Sequence, residues 1–432
     1  MQLATIYLVL RWVAVALALY YGYKKRDGTI WILVSMVVGV AIGLDFPELG
    51  KELKVVSKVF LRLIKTIIAP LLFATLVYGI AGHSNLKQVG RMGLKSIIYF
   101  EVVTTLALII GLLAINFSGA GLGLKLPSGV ESENLAVKSQ SWQDVVLHIF
   151  PENIAKSVYE GEVLQVVVFS ILFGIGVAMV AQEHQKRMVH FTESLAEVMF
   201  KFTEAIMILA PFAVGAAIAF TVSQMGLEVL QNLFMLLITL YAALVIFLLT
   251  TLLPIGLLVG LPIKRFVQAI AEPVSLAFAT TSSEAALPKA MRAMEGLGVP
   301  RKVVAFVMPM GYSFNLDGTT LYLSLASVFV AQIAGIDLSW KQQLLMCFTL
   351  MLTSKGVAGV PRASLVILLG TCAAFGLPSE PVFIILGIDV LMDMARTSVN
   401  VIGNCLATYV IARWEGELLG AEIVEPNNVV EP

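Results

Sequence analysis

One stretch near the C-terminus concentrates polar residues inside an apolar segment. It reads DVLMDMARTSVNVIGNCL from Asp389 to Leu406, between PVFIILGI and ATYVIA. At about 100° per residue, one helical face carries every strongly polar side chain. These are Asp389, Asp393, Arg396, Thr397, Asn400 and Asn404. A guanidinium binds a carboxylate through two hydrogen bonds, and an aspartate one turn away can take an ammonium group, so the stripe predicts a site for a small zwitterion.

A structural interpretation of the same stripe is an internal ion pair, Asp393 with Arg396, that holds helices together. Ionisable residues inside a membrane segment more often mark functional sites. One cation, two anions and two amides are also more than a structural ion pair needs. The binding interpretation is therefore favoured.

A second polar cluster, GYSFNLDGTT, interrupts an apolar run between VVAFVMPM and LYLSLASVFV. Asn315, Asp317 and the exposed carbonyl groups of an unwound helix offer oxygen ligands for a small cation such as Na⁺. Taken alone, the same letters are also typical of an Asn/Asp/Gly turn. The apolar flanks favour the cation site.

Two further breaks, ATTSSEAALP and TSKGVAGVPRAS, each divide an apolar segment into halves of about 12 to 15 residues, too short to cross a bilayer. Non-helical backbone at membrane depth is tolerated only inside protein or beside water. The breaks therefore predict two re-entrant hairpins, with ordinary loops as the alternative. Glu284 in the first hairpin and Glu101 in an apolar run are candidate proton carriers, unless each is simply solvated at an interface.

The composition places these sites in a membrane. Of 432 residues, 58% are hydrophobic and only 13% charged, which leaves too little charge to cover a soluble protein. Continuous apolar runs of about 20 residues predict an all-α integral membrane protein rather than a barrel. The formal net charge of zero gives no reason to expect nucleic-acid binding, and the three scattered cysteines fit no disulfide or metal pattern.

The N-terminal segment is apolar up to Tyr23 and is followed by the basic triplet KKR. A cleaved signal peptide has its positive charge before the apolar region, so a membrane or interfacial helix is predicted here instead. The positive-inside rule places the triplet in the cytoplasm. The acidic end of the chain is expected to be a cytoplasmic tail.

Five motifs, in this order, resemble the glutamate/aspartate transporter family, also called dicarboxylate/amino acid:cation symporters. They are FLRLIKTIIAPLLFATLVYGIAG, TTSSEAALP, GYSFNLDGTTLY, TSKGVAGVP and DMARTSVNVIGN. The resemblance is strongest to bacterial proton-coupled or proton/sodium-coupled glutamate–aspartate members. It implies a homotrimer in the cell (inner or plasma) membrane, and no enzyme activity or cofactor.

The implied fold has eight spans and two re-entrant hairpins, to which this chain adds an N-terminal apolar helix. A mobile transport domain would move like an elevator against a trimeric scaffold. The expected scaffold comprises residues 30–90, with two spans, and residues 118–225, with an external loop and spans four and five. The expected transport domain comprises residues 91–117, with the third span, and residues 226–413, with hairpins at 265–295 and 340–376. Residues 1–29 are the expected extra helix and basic linker, and residues 414–432 are the expected acidic tail.

The resemblance also assigns roles to individual residues. Arg396 would bind the side-chain carboxylate of the substrate and Asp393 its amino group. The other expected substrate-binding residues are Ser283, Thr319, Gly359, Val360, Thr397 and Asn400. The expected gate comprises Gly356, Val357, Ala358 and Pro361. The expected sodium ligands are Gly311, Asn315, Asp317, Ser354, Asn400 and Asn404.

Three departures from the family pattern bear on coupling and gating. Asn404 stands where strictly sodium-coupled members carry an aspartate, and Phe100 stands near their tyrosine, with Glu101 beside it. These two departures favour proton coupling, with sodium as a further candidate ion. Arg362 replaces a small residue at the second hairpin tip, which bears on gating.

The sequence therefore predicts uptake of L-glutamate and L-aspartate. A C4-dicarboxylate carrier of the same fold is the main alternative. Asp393 speaks against it, because an ammonium-binding acid would be useless for succinate. An anion channel is a weaker alternative, since a channel needs no substrate-shaped stripe.

Overall fold

The computed structural model describes residues 2–25, 28–81, 86–123, 147, 150–160, 163–354 and 363–418. Apart from short connections, these residues are helical, and no strand occurs among them. The helices are α1 Gln2–Lys25, α2 Gly28–Asp45, α3 Pro47–Glu52, α4 Lys54–Ala81, α5 Leu86–Ser118, α6 Ile154–Glu160, α7 Val163–Met179, α8 Gln182–Met207, α9 Ala210–Met225, α10 Glu228–Phe247, α11 Leu253–Leu258, α12 Ile263–Thr280, α13 Ser283–Gly296, α14 Arg301–Phe314, α15 Asp317–Ile333, α16 Trp340–Thr353, α17 Ala363–Ala374, α18 Glu380–Leu386 and α19 Asp389–Glu415. A π-helical turn, Leu248–Leu252, joins α10 to α11.

Within the described part of the chain, five helical stretches are long and apolar enough to cross a bilayer. They are Gly28–Asp45, Pro47–Tyr78, Arg91–Ser118, Glu228–Leu258 and Arg301–Ile333. A sixth results if α8 and α9, which meet at a bend of 48°, count as one span. The all-helical, multi-span class predicted from hydropathy is thus present.

The helices form two groups by packing. The first contains α1 to α4 and α7 to α9, in which α2 lies along α9 and α4 lies against α7 and α8. The second contains α5 and α10 to α19, in which α12, α13, α14 and α15 all contact α19. The groups meet at several places, among them α4 with α17, α9 with α18 and α7 with α16.

Small residues bring α2 and α9 together until their backbones touch. A methyl group at Gly39 would lie 2.4 Å from the carbonyl oxygen of Gly215, and one at Gly43 would lie 2.7 Å from that of Ala219. Membrane helices associate through such close packing because lipid provides no hydrophobic drive between them. These glycines therefore set the spacing within the first helix group.

The N-terminal helix α1 folds back along α2. Arg11 Nη1 lies 2.7 Å from Asp45 Oδ1, and Trp12 Nε1 donates to Asp45 Oδ2 at 2.9 Å. Further along, Gly22 lies beside Trp31 and Val34. Asp45, at the end of α2, thus binds one part of α1, and close packing at Gly22 holds the C-terminal part of α1 against α2.

The two longest helices of the second group are joined at one end by ion pairs. Glu415, in the last turn of α19, lies 2.5 Å from both Arg91 Nη2 and Lys95 Nζ on α5. Lys95 also donates to the carbonyl oxygen of Trp414, whose ring packs edge-on against Tyr99. These contacts fix the end of α19 to α5.

The close contact between α2 and α9 predicts an asymmetry between two glycines. Gly39→Ala should cost about 1–3 kcal/mol, the usual range for overpacking, because the new methyl meets backbone that cannot rotate away. Gly176→Ala, inside α7 where a methyl meets nothing within 4 Å, is the matched control.

Apparent unfolding temperatures of the two purified variants in detergent test this prediction. A lower value for Gly39→Ala with an unchanged or raised value for Gly176→Ala is expected. Equal values for both variants would contradict the assigned contact.

Candidate functional site

The helical path breaks between α14 and α15, where Asn315 and Leu316 leave helical geometry. The freed N–H groups at the start of α15 need acceptors. Asn400, on α19, supplies one: its Oδ1 accepts from the Gly318 N–H at 2.8 Å and from the Thr319 N–H at 3.2 Å. Its Nδ2 donates to Thr319 Oγ1 at 3.0 Å. The amide predicted as a ligand therefore caps the broken helix from a neighbouring one.

Arg396 lies one turn earlier on α19 and is held by two aspartates of the same helix. Its Nε donates to Asp393 Oδ1 at 2.8 Å, and its Nη1 donates to Asp389 Oδ1 at 3.1 Å. Thr397 Oγ1 also donates to Asp393 Oδ1, at 3.1 Å. Arg396 is only 1% exposed, so these charge-assisted bonds fix its guanidinium in one orientation.

Tyr322, on α15, completes the surroundings of the guanidinium. Arg396 Cζ lies 4.2 Å from the centre of the Tyr322 ring, a cation–π distance. Both residues are buried, yet Arg396 Nη2 and the Tyr322 hydroxyl have no hydrogen-bond partner. Buried polar atoms rarely stay unpaired. The free edge of the guanidinium is therefore a place where an anion can bind.

A second cluster of oxygen and amide groups lies beside the break. Asn315 Nδ2 donates to Asp317 Oδ2 at 3.2 Å and to Asn404 Oδ1 at 3.4 Å. A methyl at Gly403 would lie 2.0 Å from Asp317 Oδ2, so the glycine admits this carboxylate to α19. Asn315 Oδ1 is buried without a partner. The donor set is the one that a hard cation such as Na⁺ prefers.

The first predicted hairpin reverses direction at Thr281, whose φ of 53° is left-handed. Ser282 then caps α13 by accepting from the Ala285 N–H at 3.3 Å. Ser283 follows in the first turn, 1% exposed, with no partner for its Oγ. Because α13 packs on both α14 and α19, this hydroxyl belongs to the same region as the broken helix.

The remaining predicted residues are distributed as follows. Glu101 is partly buried on α5, next to Phe100, whose ring packs near Gly311. Gly311 itself approaches Asn404 so closely that a methyl there would lie 2.1 Å from Oδ1. Glu284 is partly buried in the first turn of α13. Ser354 is buried at the end of α16.

The predicted second-hairpin tip lies outside the described residues. It comprises Gly356, Val357, Ala358, Gly359, Val360 and Pro361, and Arg362 follows it. The described arms of that hairpin are α16 and α17, and α16 begins with a capping box between Ser339 and Gln342.

Sequence reasoning gave Asp389 no individual role and did not single out Tyr322. Asp389 belongs to the polar stripe but was not among the expected binding residues, although its position seven residues before Arg396 puts it on the same face. Tyr322 lies three residues after Thr319, hence on the same side of α15, but a tyrosine in an apolar run is usually interpreted as core.

Comparison of the sequence with known proteins identifies a family. The model of the sodium:dicarboxylate symporter family matches residues 29–414. The chain belongs to that family. It is 42% identical over 405 residues to the proton/sodium-glutamate symport protein of Geobacillus stearothermophilus, covering 91% of this chain and 96% of the relative.

Two further relatives carry different substrate names. The proton/glutamate-aspartate symporter of Escherichia coli (strain K12) is 41% identical over 89% of this chain and 92% of its own. The C4-dicarboxylate transport protein of Bacillus subtilis (strain 168) is 40% identical over 93% and 96%. This family member is therefore a multi-pass transporter of the cell membrane, and its substrate must be argued from the site.

The stacking of Arg396 on Tyr322 predicts different effects for two substitutions. Tyr322→Leu should lower stability by about 2 kcal/mol or more, because a desolvated cation–π contact is lost and a cavity forms. Tyr322→Phe keeps the ring and removes only a hydroxyl that has no partner, so it should be close to neutral.

Apparent unfolding temperatures in detergent distinguish the two substitutions. A Tyr322→Phe variant as unstable as Tyr322→Leu would show that the hydroxyl, rather than the ring face, holds this region together.

Proposed function

We propose that the protein is a secondary active symporter that takes up L-glutamate and L-aspartate together with protons. The observation that carries the proposal is the buried guanidinium of Arg396, held by Asp389 and Asp393 with one edge unpaired. A side-chain carboxylate fits this free edge, because Nη2 offers charge-assisted hydrogen bonds in a site shielded from water. A neutral amino acid would leave the edge unmatched.

The other substrate groups have candidate partners nearby. Asp393 would bind the ammonium group, and Thr397, which donates to the same carboxylate, would hold it in position. The unpaired Ser283 Oγ and the N–H groups at the start of α13 would receive the α-carboxylate, since helix N-termini favour anions. Thr319, Asn400 and the second hairpin tip at Gly359 and Val360 would complete the site.

The ions would bind beside the substrate. Asn315, Asp317 and Asn404, with Gly311, Asn400 and Ser354, are the proposed sodium ligands. Two relatives whose names include protons or sodium support an ion-coupled cycle. The amide of Asn404 in place of a carboxylate weakens a sodium site, which favours the proton as the main coupling ion.

A C4-dicarboxylate symporter is the second candidate, favoured by the relative of that name. Arg396 would serve succinate equally well. Asp393 distinguishes the two candidates. Its carboxylate, which is bonded to Arg396 and Thr397, attracts the ammonium group of an amino acid and repels the second carboxylate of succinate. Family membership favours a carrier over an enzyme, and a dedicated anion channel would not need this clamp.

The architecture proposed for this cycle has eight spans, two re-entrant hairpins and a homotrimeric assembly with elevator movement. The division into two helix groups, which meet at α4 with α17 and α9 with α18 among other places, supports a mobile domain against a scaffold. The helices α12 and α13 support a hairpin, because the chain reverses at Thr281 between them. The proposed domain limits are those predicted from the sequence.

The function can be tested by uptake of labelled L-aspartate into proteoliposomes under an inward proton gradient or an inward sodium gradient, imposed separately. Accumulation under the proton gradient alone is expected, and excess succinate should not reduce it. Accumulation of succinate instead of aspartate would favour the dicarboxylate candidate. Absence of both would contradict the proposal.

The clamp can be tested by Arg396→Cys. Loss of the charge should abolish aspartate uptake and admit neutral amino acids, because the side-chain carboxylate then lacks its partner. Arg292→Cys, an exposed position on α13, is the matched control and should leave uptake unchanged. Unchanged aspartate uptake in Arg396→Cys would contradict the assignment of the clamp.

A further inference from the structure

A cavity of about 1120 Å³ lies between the first hairpin and the first helix group. Its walls are mostly apolar and come from α2, α8 and α9, with single residues of α1 and α4, Leu19 and Val56. Thr280, Thr281, Ser282 and Glu284 of the hairpin form its polar part. The hairpin tip therefore faces an open volume rather than packed protein.

The cavity begins at the N-terminal end of α2. Gly28 and Thr29, at the start of α2, line it, and they follow closely on the basic end of α1. Thr29 Oγ1 donates to the carbonyl oxygen of Ala279 at 3.3 Å, so the hairpin tip touches this end of α2. The positive-inside rule assigns the end of α1 to the cytoplasm. The cavity thus connects the hairpin tip with the cytoplasmic end of α2, and it continues along α2 as far as Ile42.

Glu284 connects this cavity to the buried polar groups behind it. The helix α14 packs against α13 and carries Tyr312, whose hydroxyl is buried and has no partner. Ser283 Oγ, the next residue back along the chain, is buried and unpaired as well. Tyr312 directly follows Gly311, which lies against the side chain of Asn404. Polar groups with free hydrogen-bonding capacity therefore lead from Glu284 toward the proposed ion and substrate site.

The charged groups around Glu284 leave it without a fixed counter-ion. The two helices that pack on α13 carry the buried side chains of Tyr312, on α14, and Cys405, on α19. On α12, Glu272 is paired with Lys289 of α13. Across the cavity, Glu204 is paired with Lys201 at 2.8 Å. No ion pair involving Glu284 is formed among the described residues.

We propose that Glu284 is the residue that carries the coupled proton and exchanges it with water in the cavity. This inference rests on the proposed function. The proton moves from water onto a carboxylate oxygen of Glu284 and later returns to water, with no other bond made or broken. A carboxylate that opens on a cavity can exchange protons with water, whereas Glu101, on α5, is not part of this cavity wall.

Charge balance explains why proton and substrate would travel together. An acidic amino acid carries one net negative charge at neutral pH, and a proton on Glu284 removes one. The moving domain then has the same net charge when loaded and protonated as when empty and deprotonated. Moving an uncompensated charge across a bilayer is costly, and a bound anion also favours the protonated carboxylate nearby. Substrate and proton binding are thereby coupled.

The test compares Glu284→Gln with Glu101→Gln, the matched control, in proteoliposomes. Two activities are measured for each: exchange of external labelled L-aspartate for internal unlabelled L-aspartate without gradients, and accumulation under an inward proton gradient. Glu284→Gln should retain exchange, because glutamine keeps the shape of the site. It should lose proton-driven accumulation down to the level seen without a gradient, while Glu101→Gln retains both.

Each other outcome has a definite meaning. Proton-driven accumulation by Glu284→Gln would overturn the inference, and so would loss of exchange in that variant, because Glu284 would then act in binding or folding. Loss of accumulation in Glu101→Gln alone would assign the role to Glu101 and overturn it too. If the unmodified protein shows no aspartate exchange, the proposed function fails, separately from the proton assignment.

Discussion

The burial of one positive charge, Arg396, constrains the arrangement of the second helix group. A buried charge without partners would cost several kcal/mol, so the surrounding helices must bring compensating groups to it. Two aspartates of α19 and the ring of Tyr322 on α15 do so. The facing helices come close because a methyl at Gly318 would lie 2.3 Å from the carbonyl oxygen of Arg396. The charge thus determines both the contact between the helices and the residues that the contact tolerates.

The same region contains several buried polar atoms that the protein does not satisfy by itself. They are found on three different elements: Arg396 Nη2 on α19, Asn315 Oδ1 at the break and Ser283 Oγ on α13. A core that served stability alone would pair such atoms or replace them with apolar groups. Unpaired atoms of this kind are what a preorganised binding site would present, since a ligand or an ion can supply the missing partners.

Much of this arrangement was predictable from the sequence, and the limits are physical. Hydropathy predicted the helical membrane class, and the helical period placed Asp393, Arg396 and Asn400 on one face. The partnership of Arg396 with Tyr322 was not predictable, because it joins helices far apart in the chain and depends on their relative rotation. The contact of Gly39 with Gly215 was missed for the same reason. Periodicity describes one helix and not the position of its neighbours.

The cap that Asn400 provides has a mechanical consequence. A helix that is broken at Asn315 could bend there, but its second half is tied through Gly318 and Thr319 to a side chain of another helix. These bonds favour joint movement of the break and α19. In an elevator cycle, the spacing between ligand-binding atoms would stay constant while their depth in the bilayer changes. Depth in the bilayer and coordination geometry would then vary independently, and the ligand-binding atoms would keep the same arrangement on both sides of the membrane.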